Sequence, residues 1–213
     1  MMTGIKASRG APEGDVRERL LDVATELFAR KGYAASTTRE IVAAAGVTKP
    51  VLYYYFKNKE GIYLELIERA FKRFEAVVDA SITGSGSIEQ RLRRLCDQVF
   101  GLVVEKIEVV RLMYSIYYGP PQGAPHFDFD AVHRKLFEAI KQVVAEGIQS
   151  KELRKGHAED IAWAILGAIH VTMENELSHP ERELGHEGLK RILGHIFQGI
   201  SFQKGKQRRG EQK

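Results

Sequence analysis

The sequence holds a single cysteine, Cys96, in 213 residues. No disulfide can form within the chain, so packing must supply its stability, and a reducing compartment fits. It has no run of about 18 apolar residues, the length that a membrane-spanning helix needs. The opening stretch, MMTGIKASRGAPEG, lacks the apolar segment of a secretion signal. The expectation is a cytoplasmic protein with no membrane partner. Strand-like alternation of apolar and polar residues is absent, and so is any internal repeat. Prolines number six, and three of them sit in GPPQGAP at 119–125, which must be a loop. The constellations of catalysis are missing too: paired carboxylates in an apolar setting, a Ser/His/Asp set, a glycine-rich phosphate loop, Cys/His metal spacing. We expect no enzyme, no catalytic residue, no cofactor and no bound metal. A thiol of lowered pKa remains open at Cys96, because Arg93 and Arg94 are near it in sequence.

Hydrophobic residues make up 44% of the chain, enough for a packed core. The net charge is +4, but the last ten residues, KGKQRRGEQK, hold five cations and one carboxylate, which accounts for all of it. A second imbalance is internal. Residues 28–59 carry Arg30, Lys31, Arg39, Lys49, Lys57 and Lys59 against Glu40 alone. That stretch contains VTKPVLYYYFKNKEGIY, with three adjacent tyrosines. Buried phenols each need a hydrogen-bond partner, so three in a row suit an external contact better than a core.

Apolar spacing reads as helix throughout: 14–31, two short helices around Gly46, a longer one from 59, then 87–105, 107–117, 126–150, 158–178 and 185–202. Gly32 stands at a helix end. Thr37 and Glu40 fit a capping box. The expected fold is all-α, an N-terminal helix-turn-helix domain plus a C-terminal helical bundle for ligand binding and dimerisation. Its parts are a disordered arm at 1–12, the helix-turn-helix domain at 13–58, a connecting helix at 59–80, the bundle at 81–203 and a basic disordered tail at 204–213.

Two short helices about a tight turn match a helix-turn-helix, whose second helix enters the DNA major groove. Each helical residue turns about 100°. Leu52 and Phe56 then share the inward face, and Pro50, Val51 and Tyr54 point away from it, toward base edges. Tyr53 and Tyr55 flank them, one for each phosphate strand. Thr48 and Lys49 open this helix, and Lys49 can donate to guanine or phosphate. Lys59 begins the next helix, near a phosphate. Thr37 and Thr38 lie at a helix N-terminus that favours an anion, and Arg39 suits a bidentate guanine contact.

At this point GYAASTTREIVAAAGVTKPVLYYYFKNKEGIY, residues 32–63, resembles the signature of TetR/AcrR-type transcriptional regulators. The resemblance runs through Gly32-Tyr33, Thr37, Ile41, Ala44, Gly46-Val47, Leu52-Tyr53, Phe56 and Lys59-Glu60, and LLDVATELFARKGY extends it upstream. Val42 and Pro50 depart from it, where alanine and glycine are commoner. It implies a homodimer on a palindromic double-stranded operator, repression, and release by a small ligand. It also implies DNA contacts at Thr37, Thr38, Arg39, Lys49, Pro50, Val51, Tyr53, Tyr55 and Lys59. A helix-turn-helix protein without small-molecule input is the alternative.

The bundle says less. Phe100, Met113, Tyr114, Tyr117, Tyr118, Phe127, Phe137 and Trp163 suggest an aromatic cavity for an apolar or aromatic ligand, with Arg111, His133 and His170 as polar contacts. In the last two helices Ile165, Ala168, Ile169 and Met173, with Leu189, Ile192, Leu193, Ile196 and Phe197, form stripes that two copies would bury in a four-helix bundle.

Overall fold

The computed structural model describes residues 13–200 apart from Glu183, so the expected arm at 1–12 and tail at 204–213 lie outside the described residues. Among those described, helices and one 3-10 turn account for all regular structure, and no strand occurs. The helices are α1 (Glu13–Lys31), α2 (Thr38–Ala45), α3 (Lys49–Phe56), α4 (Lys59–Ile82), α5 (Ile88–Glu105), α6 (Ile107–Tyr117), α7 (Phe129–Gln149), α8 (Ala158–Ser178) and α9 (Gly185–Ile200). The fold is all-α, with the helix-turn-helix near its N-terminus.

Two compact units divide the chain. The first takes the described residues up to Ala70 together with Ile107–Phe127; the second takes Phe71–Lys106 and the residues from Asp128 on. This division differs from boundaries drawn at 58 and 80. α6 and the loop after it cluster with the helix-turn-helix, and α4 is shared at its midpoint.

The first unit is built on α1. Leu20, Leu21, Ala24, Leu27 and Phe28 recur at helical spacing and are all buried. Buried in the same unit are Ile41, Val42 and Ala45 of α2, Leu52 and Phe56 of α3, and Ile62, Tyr63, Leu66 and Ile67 of α4. α6 packs on α1 and contributes Val109 and Leu112. Ion pairs lace α1 to α4: Arg17 with Glu65, and Glu18 with Arg69 at 2.8 Å, while Arg69 also pairs along α4 with Glu65 at 2.8 Å.

The second unit closes around Leu92, Leu95, Val99 and Phe100 of α5, Ile140, Val143 and Val144 of α7, Ile165, Leu166 and Ile169 of α8, and Leu193 and Phe197 of α9. Ser87 and Gln90 form a capping box at the start of α5. Cys96 lies fully inside this core, and burial pushes its thiol up to about 12. It packs in the core and is not the thiol of lowered pKa that Arg93 and Arg94 left open.

The junction between α3 and α4 is tight. Asn58 caps α4, its Oδ1 accepting from the Gly61 N–H at 2.7 Å. A Cβ on Gly61 would stand 2.1 Å from the Phe56 carbonyl oxygen, which is backbone and cannot step aside. Gly61→Ala should therefore lower stability by about 2–3 kcal/mol through overpacking, read as a fall in the urea midpoint.

Candidate nucleic-acid interface

α2 starts at a complete capping box. The Thr37 side chain accepts from the Glu40 N–H, and the Glu40 carboxylate accepts from the Thr37 N–H at 3.0 Å. Lys31 pairs with the same carboxylate. That pairing, with the Thr37 hydrogen bonds, holds the Glu40 carboxyl down at about 2. α2 ends where Gly46 takes φ 64°, with Val47 N–H reaching back to the Val42 carbonyl at 3.0 Å. This double-bonded stop is a Schellman turn, and only glycine adopts its left-handed residue freely. Arg19 of α1 donates to the Ala45 carbonyl at 2.9 Å and fixes that end of α2.

α3 follows after Val47 and Thr48, with Pro50 in its first turn. Leu52 is fully buried and Phe56 is 4% exposed, as the 100° spacing predicts. Tyr54, on the opposite face, is 73% exposed, and Tyr53 is 46% exposed. Thr48, Lys49 and Pro50 are exposed, and Val51 and Tyr55 are half-buried. The Tyr55 ring sits edge-on to Tyr54 at 4.9 Å and near Phe56 at 6.2 Å, which steadies the exposed phenols from behind. On α2, Arg39 is exposed and Thr38 half-buried, while Thr37 is exposed at its capping post. The helix-turn-helix thus offers one continuous polar and aromatic face.

Lys59 also serves the fold. Its ammonium donates to the carbonyls of Tyr33 at 2.8 Å and Ser36 at 2.9 Å, and lies 4.1 Å from the Tyr33 ring centre. Burial lowers its pKa from the ordinary lysine value. Two of its three donors serve the fold, so it is first an anchor for the α1–α2 turn. The same turn is held from a second side, which spacing did not reveal. Gln122, in the loop after α6, accepts from the Tyr33 N–H at 2.8 Å and donates to the Ser115 carbonyl at 3.1 Å. Gly32, at φ +82°, permits this approach, since a Cβ there would lie 2.6 Å from the Gln122 oxygen.

Lys57 has a backbone rarely seen in a lysine, φ 60° and ψ −42°. The Asn58 N–H donates to the Phe56 carbonyl at 2.6 Å across it. That is a γ-turn of the rare, strained hand, a conformation that costs of order 1–3 kcal/mol.

Comparison with known proteins bears on this face. The family model for bacterial regulatory proteins of the tetR family matches residues 20–66, from within α1 to the first turns of α4. The transcriptional regulator AcrR of Shigella flexneri is 39% identical over 173 residues, covering 78% of this chain and 80% of that one. The chain belongs to the tetR family. The transcriptional activator FasR of Mycolicibacterium smegmatis is 31% identical over 122 residues, 57% of this chain and 56% of FasR. The chain thus spans little more than half of that relative, and only 37% of the Escherichia coli repressor ComR. Among solved structures, a Clostridium perfringens protein described as a fatty acid metabolism regulator matches with TM-score 0.67 and 25% identity, over 86% of this chain and 99% of that one. PfmR of Thermus thermophilus matches in fold with TM-score 0.68 at 21% identity, over 84% and 97%. The relatives named here regulate transcription and are not enzymes.

In this tetR-family chain the residues expected to line one cavity fall in both units. Arg111, Met113, Tyr114, Tyr117, Tyr118 and Phe127 belong to the first. Phe100, His133, Phe137, Trp163 and His170 belong to the second, with Phe100 wholly in its core. His133 and His170 meet edge to face at 5.2 Å, and Phe137 and Trp163 lie 4.4 Å apart. Burial, then the neighbouring His133, lowers the pKa of His170 below the ordinary histidine value.

Most residues of the expected dimer stripes lie in the core of the second unit. Ile165, Ala168, Ile169, Leu189, Leu193 and Phe197 are buried within the single chain. They complete the core of their own unit. Met173, Ile192 and Ile196 remain half-buried. The outward face of α8 carries Trp163 and Val171, each 56% exposed, with Ala164 and Gly167 between them.

The anchoring role of Lys59 has a direct test. Lys59→Met would take the ammonium donor from the Tyr33 and Ser36 carbonyls, leaving that of Tyr33 only the Ser36 N–H at 3.3 Å, and should cost about 1–3 kcal/mol in urea unfolding without DNA.

Proposed function

We propose that this protein is a dimeric transcriptional regulator that acts in the cytoplasm, represses from a palindromic operator and releases it when a small apolar or aromatic molecule binds. The observation that carries the DNA-binding part is the polarity of α3. Leu52 and Phe56 are buried while Tyr54 stands 73% exposed opposite them, behind a Schellman turn that fixes α2 against α3. In a helix-turn-helix that outward face meets the major groove. Arg39 and Lys49 supply donors for guanine or phosphate, Pro50 and Val51 supply apolar contact to thymine methyls, and Tyr53 and Tyr55 reach phosphates. Thr37, Thr38 and Thr48 stand at the helix starts.

A second copy is proposed to pack on the outward face of α8, through Ala164, Gly167 and Val171, with Ile192 and Ile196 of α9 beside it. Among the described residues, and apart from the adjoining backbone of α8 itself, no heavy atom lies within 4 Å of where a Gly167 Cβ would stand, so another backbone can come close. Twofold pairing of such a face is self-complementary. Phe137 and Trp163, with His133 and His170, are the proposed ligand contacts in the second unit. The Clostridium relative's description as a fatty acid metabolism regulator supports an apolar ligand. By linkage, ligand weakens DNA binding by the factor by which DNA weakens ligand binding.

Selection of sites from random duplex DNA should enrich an inverted repeat; absence of enrichment at low salt would sink the reading. On that site, Lys49→Ala or Arg39→Ala should cost about 1–3 kcal/mol and relax preference at one base position. Val171→Glu should shift sedimentation from dimer to monomer. A dimer that survives it would place the interface elsewhere.

A further inference from the structure

Two described residues other than glycine have positive φ, Lys57 and Lys151. Lys151 lies just past the end of α7, where its N–H donates to the Ile148 carbonyl at 3.3 Å, a place where helices commonly stop in this way. Lys57 is unlike it. It lies inside a γ-turn between α3 and α4, closed by the 2.6 Å bond across it. Glycine takes positive φ without steric cost, so a side chain here needs a reason.

Nothing in the fold supplies that reason. Lys57 is exposed. Among the described residues its one hydrogen bond runs from its backbone N–H to the Tyr53 carbonyl at 3.2 Å, which any residue but proline could make. The neighbouring cations are occupied differently: Lys31 is neutralised by Glu40, and Lys59 faces two carbonyls. Arg39 and Lys49 stand near the N-terminal ends of α2 and α3. Lys57 is therefore the outward cation at the C-terminal end of α3, one turn beyond Tyr53. A helix in the major groove has a phosphate strand alongside it, and lysine serves a phosphate as a point charge.

We propose that Lys57 grips a backbone phosphate beside α3, and that the strained turn is retained because it aims the ammonium there. This rests on the DNA-binding reading above. Strain is tolerated at a site where the side chain has work outside the fold.

The test uses the full chain, a random-sequence duplex, and three variants: Lys57→Ala, Lys57→Gly and Lys57→Arg. Two quantities are read, the salt dependence of duplex affinity and the melting temperature without DNA. Lys57→Ala and Lys57→Gly should each flatten the slope of log affinity against log salt by ~0.9 per bound chain, and Lys57→Arg should keep it. Lys57→Gly should also melt about 2–4 °C higher, while Lys57→Ala, equally strained, should not gain. A slope unchanged in Lys57→Ala and Lys57→Gly, beside a steep wild-type slope, would overturn the phosphate contact alone. A melting temperature lowered by glycine would show that the turn stores no strain and overturn the aiming argument. A wild-type chain that binds no duplex would remove the DNA reading together with this one.

Discussion

The first unit depends on the backbone of one residue, Tyr33. Its N–H is taken by Gln122 and its carbonyl by Lys59, both at 2.8 Å. Its ring lies between Phe28 at 5.4 Å and the buried Tyr63 at 5.2 Å. Buried backbone donors and acceptors need partners, and here two segments distant in sequence supply them at one point. The turn from α1 to α2 is fixed by this arrangement. The placement of α2, and through Gly46 of α3, follows from it.

The basic stretch is also less uniform than its composition suggests. Six cations face one carboxylate between residues 28 and 59, yet the structure assigns them different work. Lys31 reinforces a helix cap, and Lys59 holds a turn. What is left outward is a small set of charges around a patch of phenols. Aromatic area and hydroxyl donors then matter as much as net charge on this face, because sequence-independent attraction grows with the number of phosphates neutralised.

Much of this was legible in the sequence. The helices, the Thr37–Glu40 capping box, the glycine stops at 32 and 46, and the inward pair Leu52 and Phe56 follow from local periodicity and local hydrogen bonding. What local rules do not carry is which neighbour covers an apolar stripe. Ile165, Ile169, Leu193 and Phe197 read equally well as core or as interface, and only the three-dimensional packing assigns them to core. Gln122 gave no signal, since a glutamine in a proline-rich loop looks solvated. Lys57 counted as charge, because a backbone angle leaves no mark in composition. Its one clue was its place between the end of one helix and the cap of the next.

The membership of the first unit has a consequence for how the chain is made. Its helices up to Ala70 emerge from the ribosome well before Ile107–Phe127, the segment that carries α6 and Gln122. At about 5–20 residues per second, synthesis of the intervening stretch takes seconds, while helices form in microseconds or less. During that interval the face of α1 that α6 will cover is open, and the Tyr33 N–H lacks its acceptor. The order of translation therefore sets a window in which the nascent head is incomplete, one that shuffling the same helices into a contiguous order would close.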